Sequence, residues 1–556
     1  MIKKIDKKTL LCILICLLIT IIGLFSYFSS SITVYKDQDL TYHLNRFIGL
    51  AKAFEEGQIL PKIYPYANNG FGYASPLFYC DLFLYPFAIL NHFGLPAVYC
   101  YKLCVFTYTL ISNLIVYFIL KKETNRNDIS LIGVLLYFSA NYHLQNIFIR
   151  CALGEILAMT FIPLVLHSIY KVLVKHENCY IYLGVSFSLL VMSHLITTLL
   201  YGIFFFCMII VFIIINKKDK NLLINTFKTI LKGTILALLL TCWYLLPMLE
   251  QLHSQTFWLS INAKYNYIGA GTYSLTSIFE VFGERFIPST GLALLVCGII
   301  GFITIKNKYI KIIGIYSLVM FLIVLGIMPG EYLNVIQFYF RLYVVIFPLL
   351  TIITICLLGN IKNKKVLIGS AIVIFIYSLT NLYVCNNNVL DSETNRLKND
   401  ATQQEINSIW NDGILDYNHD ELGGAEYLPY TEYLNYNDDS LAIKYIDKNN
   451  EIVDYIYDYD RNFTEIAFEC NNNTDLELLL PLSWYKGYKA YELIDGKWVE
   501  IESTYSPLNK EVVINTKSGK HIYKVQYDGT LVQKISLIIS FISLIYLIIE
   551  LNLKKA

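Results

Sequence analysis

Apolar runs of about twenty residues recur through this chain from its N-terminus to Cys385, and one more follows Thr530. A bilayer core about 30 Å thick takes about 20 helical residues to cross. Repeated runs of that length commit most of the chain to a lipid bilayer. Charged residues make up 16% of the sequence, against roughly 25% in an ordinary soluble domain. They collect between the apolar runs and in one polar, acidic stretch, residues 386–530, which is long enough for a folded domain. The net charge of +1 gives no bulk attraction to nucleic acid, and no nucleic-acid partner is expected.

Short loops rich in Lys and Arg face the cytoplasm in membrane proteins. The basic clusters here are Lys3–Lys8, Lys121–Arg126, Lys171–Lys175, Lys217–Lys220, Lys306–Lys311, Lys362–Lys365 and Lys554–Lys555. A twelve-helix arrangement places all of them on one side. Its helices run over 9–29, 97–120, 128–144, 153–173, 178–196, 197–216, 227–248, 290–305, 311–328, 341–359, 366–385 and 531–552. It requires that Ser75 to Phe93 not cross, and Pro76, Asp81, Pro86 and Asn91 make that stretch a poor spanning helix. The first apolar run has a basic start but no small-residue cleavage site, so it reads as a retained helix. The expected domains are 1–385, a transmembrane domain with a long first outer loop at 30–95; 386–530, an extracytoplasmic β-sandwich-like domain; and 531–556, a final helix with a cytoplasmic tail. Both termini are expected in the cytoplasm and the β domain outside.

Most of the thirteen cysteines lie inside apolar runs, where they pack as small hydrophobes. No Cys/His metal spacing appears, and no cofactor is expected. Cys385 and Cys470 flank the outer domain, and their pairing is left open.

Charges out of place in an apolar context fall mainly at the expected outer face. In the first outer loop, Leu40, Leu44, Phe47, Ala51 and Phe54 form one stripe at helical spacing. Asp39, His43 and Arg46 follow at i, i+4 and i+7 along its edge. A carboxylate held there beside His and Arg suits a general base acting on a hydroxyl. The same spacing also suits a helix cap with an i,i+4 pair on a solvated face. Downstream, Gly70 and Gly72 with flanking aromatics suit either a loop that backs onto a partner or an interfacial turn. Arg150 stands at the outer end of the fourth helix with Glu155 one turn in, and Glu155 is costly to bury unpaired. His194 lies near the end of the fifth helix, where a lone His is more often a packing residue. Gln337 and Arg341 open the tenth. Arg341 has the fork that fits a phosphate, with interface anchoring as the alternative. In residues 386–530, Leu476–Leu480, Tyr488–Leu493, Lys497–Ile501, Glu511–Asn515 and His521–Tyr527 read as strands, with Asp495-Gly496 as a hairpin turn.

In their order along the chain these segments resemble a known family. Asp39-x-x-x-His43-Leu-x-Arg46, Asn69-Gly-Phe-Gly-Tyr with Pro76-Leu-Phe-Tyr79, Arg150-x-Ala-x-x-Glu155, Ser193-His194-Leu, Trp243 to Pro247 and Gln337-Phe-x-x-Arg341 look like the bacterial membrane proteins labelled 6-pyruvoyl-tetrahydropterin synthase-related. Gly424-Ala-Glu-Tyr-Leu-Pro429 and Trp484-Tyr-Lys-Gly-Tyr-Lys with Asp495-Gly-Lys look like the related YfhO-like proteins. The synthase label finds no support, because no zinc-binding His set is visible. The resemblance implies a polytopic α-helical membrane protein of the GT-C glycosyltransferase type. It further implies a polyprenyl-phosphate-linked sugar as donor and a cell-surface glycopolymer or glycolipid as acceptor, at the outer face of a bacterial cytoplasmic membrane. On that pattern Asp39 and His43 would be catalytic. Arg341, Arg150 and Arg46 would hold the donor phosphate, supported by Asp37, Glu155, His194 and Gln337, with no metal. The main rival is a transporter or flippase of lipid-linked sugars, which would place polar groups at mid-membrane and often show repeated halves. A non-catalytic cell-envelope assembly protein is the third reading.

Overall fold

A computed structural model describes residues 6–34, 39–262, 289–327, 335–391, 396–406, 408, 426–431, 441–447 and 451–553. Asp37, Gly424, Ala425 and the terminal lysines Lys3, Lys4, Lys554 and Lys555 lie outside them. The protein is mostly helical, with a β-sheet region toward its C-terminus. The expected segments are largely helical, with 128–144 divided between Asn127–Phe138 and Asn141–Phe148 and residue 328 outside the described residues; among the described residues seven helices are long and apolar enough to cross a membrane: Ala97–Thr124, Leu153–Leu173, Leu195–Asn216, Lys220–Ser254, Tyr339–Asn360, Lys364–Asp391 and Leu531–Leu553. Helices suit such sequences because every backbone polar group is paired within the segment. Ser75 to Phe93 forms only short pieces, Ser75–Phe78, Leu82–Leu84 and Tyr85–His92, and Pro76 and Pro86 each stand at the start of one.

The chain divides into two compact units. The first takes Met1–His43, Pro96–Leu238 and Tyr265–Thr402. Its core is a continuous apolar cluster running from Cys12 through Tyr142, Met159 and Tyr201 to Phe347 and Ile374. Close approach of helices matters here. A side chain at Gly184 would meet the Gly233 carbonyl at 2.8 Å, so Tyr180–Ser193 and Lys220–Ser254 touch backbone to backbone. The strand Ser31–Thr33 pairs antiparallel with Arg396–Lys398. Lys102 is tied to this end by hydrogen bonds to the carbonyl of Ser29 at 2.9 Å and to Asn399 Oδ1 at 2.7 Å.

The second unit takes Leu44–Leu95, Leu239–Lys264 and Gln403–Ala556. Its centre is a sandwich of two five-stranded antiparallel sheets. One runs in the order Ser503–Tyr505, Glu511–Asn515, Glu477–Ser483, Ile443–Ile446, Ile452–Ile456; the other Asp460–Asn462, Glu465–Asn472, Gly519–Tyr527, Tyr488–Ile494, Lys497–Ile501. Asp495 and Gly496 both have positive φ, as the expected tight hairpin requires. The segment around Gly70 and Gly72 packs on this sandwich. Asn68, Asn69, Gly70 and Gly72 all have positive φ, and the turn is closed by a Tyr64–Tyr73 bridge. The Ser483 amide donates to the Phe71 carbonyl at 2.7 Å, and Arg461 Nη2 donates to the Pro65 carbonyl at 2.8 Å. The end of the long helix joins the same unit, with Tyr244 Oη on the Phe78 carbonyl at 2.7 Å and Gln251 Nε2 on that of Lys486 at 2.6 Å. Cys385 and Cys470 are both free thiols.

Glu492 is buried in the sandwich and accepts from Lys517 Nζ at 3.0 Å and His521 Nδ1 at 2.7 Å. Burial raises its pKa, but these two partners outweigh that and hold it below the ordinary glutamate value. A depressed carboxylate stabilises the fold above its unfolded pKa and loses that contribution as pH falls through the folded one. Unfolding of the full-length protein should therefore shift to lower temperature on acidification below about pH 4.3. In Glu492→Gln the dependence should flatten, and an unchanged slope in a thermal-melt series would contradict it.

Candidate functional site

The helix Leu40–Glu55 starts directly after Asp39, whose carbonyl accepts the His43 amide at 3.1 Å. The Asp39 amide donates to the Arg150 carbonyl at 3.1 Å, so two segments more than a hundred residues apart are joined at the backbone. The Asp39 side chain lies within electrostatic range of Arg150, Arg341 and Glu155. Removal from water raises its pKa above the ordinary aspartate value, while the two guanidinium groups pull it back. Among the described residues its carboxylate makes no hydrogen bond or ion pair.

Glu155 is the hub of the cluster. It is 2% exposed and lies in the first turn of Leu153–Leu173. Tyr142 Oη donates to its Oε2 at 2.6 Å, Arg150 Nη1 to its Oε1 at 2.8 Å, and Arg341 Nε stands 3.2 Å from Oε1. Arg150 Nη1 also donates to Asn146 Oδ1 at 2.8 Å. Arg341 donates through Nη1 to the Ile336 carbonyl at 3.2 Å and to Gln337 Oε1. The Arg341 Nε–H is not aimed at Glu155 despite the short approach, and it is a buried donor without a hydrogen-bond acceptor among the described residues. Such a donor is costly to leave unmade.

Aromatic faces complete the setting. The Phe338 and Phe340 rings stack with centroids 5.0 Å apart. The Arg341 guanidinium lies 5.3 Å from the first and the Arg150 guanidinium 5.1 Å from the second. Two non-glycine residues beside the arginines have positive φ, Cys151 at 51° and Gln337 at 65°. Residues held in that region are strained unless their surroundings fix them.

Asp39, Arg150, Glu155, Gln337 and Arg341 thus come together in the first unit. His43 belongs to the same unit, where its Nε2 accepts the Leu153 amide at 3.1 Å and caps the helix that carries Glu155. His194 lies within electrostatic range of Glu155, and its Nδ1 accepts the Thr197 amide at 3.3 Å as the cap of Leu195–Asn216. Arg46 is committed elsewhere. Its Nε donates to Asp81 Oδ1 at 2.7 Å and its Nη2 to the Cys80 carbonyl at 2.9 Å, within the second unit. Tyr64 Oη donates to the other Asp81 oxygen at 2.5 Å, and Tyr79 covers the guanidinium at 4.4 Å. Sequence reading passed over Tyr142, Asn146 and the Phe338–Phe340 pair. Their only signal was the Asn and Tyr content of the segment Asn141–Arg150 and the aromatics around Arg341. Among the described residues no three His, Cys, Asp or Glu side chains converge as a metal site.

A family model for the 6-pyruvoyl-tetrahydropterin synthase related domain, described as a membrane protein, matches residues 77–387. A protein of Lactococcus lactis subsp. cremoris (strain MG1363), described as uncharacterized, is 25% identical over 339 residues, which is 57% of this chain and 54% of that protein. The chain thus spans about half the length of that relative. Among solved structures, the arabinofuranosyltransferase AftD from Mycobacteria aligns with a TM-score of 0.42 at 14% identity, over 68% of this chain and 26% of AftD.

Proposed function

The chain belongs to the 6-pyruvoyl-tetrahydropterin synthase related family of membrane proteins, and from that premise we propose that it is a membrane glycosyltransferase. It moves a sugar from a polyprenyl-phosphate donor to a hydroxyl of a cell-surface acceptor, at the outer face of a bacterial cytoplasmic membrane. In this reading both termini are cytoplasmic and the β-rich part of 386–530 lies outside. The observation that carries the proposal is a carboxylate with no hydrogen-bond or ion-pair partner among the described residues, Asp39, set beside two buried guanidinium groups, one of which has an Nε–H with no hydrogen-bond acceptor among the described residues.

The chemistry follows from the charges. The acceptor oxygen attacks the anomeric carbon as the bond to the phosphate oxygen breaks, with inversion. Asp39 takes the acceptor proton, and a pKa raised toward the working pH suits that task. The leaving polyprenyl phosphate gains negative charge, which Arg341 Nε and the Arg150 fork stabilise. Glu155 holds both guanidinium groups in place before the donor arrives, and Gln337 holds Arg341 from the other side. His43 and His194 position the helices as caps. Arg46, already paired with Asp81, is left out of the donor set.

The test is a transfer assay on purified protein in nanodiscs, with undecaprenyl-phosphate carrying one hexose and, in parallel, the matching nucleotide sugar. Only the lipid donor should support transfer. Arg341→Gln should lower kcat/KM for that donor by about 10–100-fold, the scale of one or two lost charge-assisted hydrogen bonds. Transfer at the parental rate in that variant, or transfer from the nucleotide sugar alone, would refute the donor assignment.

A further inference from the structure

Within the second unit a cation lacks an anion. Lys62 is partly exposed, and its Nζ lies 5.4 Å over the Trp243 ring. It stands within electrostatic range of Asp81, which is already paired with Arg46, so two cations face one carboxylate. Both Asp81 oxygens are committed, one to Arg46 Nε at 2.7 Å and the other to Tyr64 Oη at 2.5 Å. Cys80 adds no charge, because burial pushes its thiol up to about 12. Among the described residues Lys62 makes no hydrogen bond and no ion pair. Burial draws its amine below the ordinary lysine pKa. An ammonium carries three donors, and withdrawing it from water without an acceptor is costly.

The surroundings point to the source of the missing anion. From Ile59 to Leu95 the only Asp, Glu, Lys or Arg side chains are Lys62 and Asp81. The same segment presents large apolar groups outward: Ile59 is 74% exposed and Phe93 80%, and Leu60, Leu82, Ile89 and Leu90 are exposed as well. On the helix that carries Trp243, exposed Leu239 and Leu246 flank it at i−4 and i+3 on one face. A patch of this kind with its charges withdrawn suits lipid rather than water. Backbone groups in it are met from inside, as lipid contact requires: Tyr85 Oη donates to the Ile59 carbonyl at 2.8 Å and Asn91 Nδ2 to that of Leu95 at 2.7 Å. The helix Tyr85–His92 is about 12 Å long, less than half a hydrocarbon core, so it is too short to cross. Trp and Lys together favour the level of a bilayer where lipid phosphates lie.

We propose that Lys62 and Trp243 hold the phosphate of one anionic membrane phospholipid, whose acyl chains lie along Leu60, Leu82, Leu239 and Leu246. The site lies within one unit and stands independently of the transferase reading. Native mass spectrometry of the full-length protein released from nanodiscs tests it, with phosphatidylglycerol, phosphatidylcholine of the same acyl chains, or inorganic phosphate added. Phosphatidylcholine carries its own cation, so one phosphatidylglycerol should be retained at least about tenfold more strongly, the scale of a charge-assisted hydrogen bond. Excess inorganic phosphate should not displace it. Lys62→Gln and Lys62→Met should both abolish the preference, whereas Lys52→Gln, which removes another cation of the same unit, should keep it. In phosphatidylcholine the two Lys62 variants should unfold at or above the parental temperature, because the cation they remove has no protein partner to lose. A clear drop there would show that Lys62 is already paired inside the protein and would overturn the site. So would equal retention of the two lipids by the parent, parental preference in either Lys62 variant, loss of preference in Lys52→Gln, or displacement by phosphate.

Discussion

Asp39→Asn should reduce sugar transfer by about 10²–10⁴-fold, the usual contribution of a positioned general base, while expression and thermal unfolding stay near those of the parent. The amide keeps the size of the side chain but takes no proton. Among the described residues the carboxylate makes no bond that the substitution would break. Donor binding should also survive, because both guanidinium groups remain anchored on Glu155. The sign of the pH dependence follows from the same geometry. A base acts when deprotonated, so kcat/KM should fall on the acid side. Burial moves that limb above the ordinary aspartate value of about 3.9. Near-parental transfer in Asp39→Asn would remove Asp39 from the chemistry. Loss of donor translocation with no transfer in any variant would favour the transporter, and silence in every assay would favour a non-catalytic envelope protein.

Glu155→Gln should be the more damaging change to the protein itself. It strips the carboxylate that, among the described residues, forms an ion pair with both Arg150, 7% exposed, and Arg341, 9% exposed. Removing one member of a buried charge pair typically costs about 3–5 kcal/mol, because the remaining charge is left uncompensated. The apparent unfolding temperature in detergent should drop clearly. A purely structural role would stop there. A positioning role adds a kinetic signature: in the folded fraction the donor KM should rise more than kcat falls, and Glu155→Asp should recover part of it. A variant with parental stability and parental donor KM would show that the two arginines are held by something else.

Membrane residence was legible from the spacing of apolar runs alone, and so was the mostly helical character of those runs, because helix formation in an apolar run is a local matter. The strands at Lys497–Ile501 and Glu511–Asn515 were read to the residue, since short runs rich in β-branched and aromatic residues, one of them directly after the Asp495-Gly496 turn, carry their own signal. The strands Ile443–Ile446, Ile452–Ile456 and Glu465–Asn472 were not. Their placement depends on pairing across the sheets, which periodicity does not encode.

The candidate site divides the same way. Sequence singled out Glu155 as costly to bury unpaired, Asp39 as a candidate base and Arg341 as a fork that fits a phosphate, which are properties of each residue taken singly. Partnership depended on the fold. Arg46, three residues from His43, turned out to be paired with Asp81, which sequence had read only as an obstacle to a spanning helix. His43, expected beside the base, caps a helix begun 110 residues later. The sequence by itself determined that this is a helical membrane protein with a β-rich region and a handful of costly buried charges. Only the tertiary structure decided which charge meets which, because the energy of a buried charge is set by the groups within a few ångströms, and those come from distant parts of the chain.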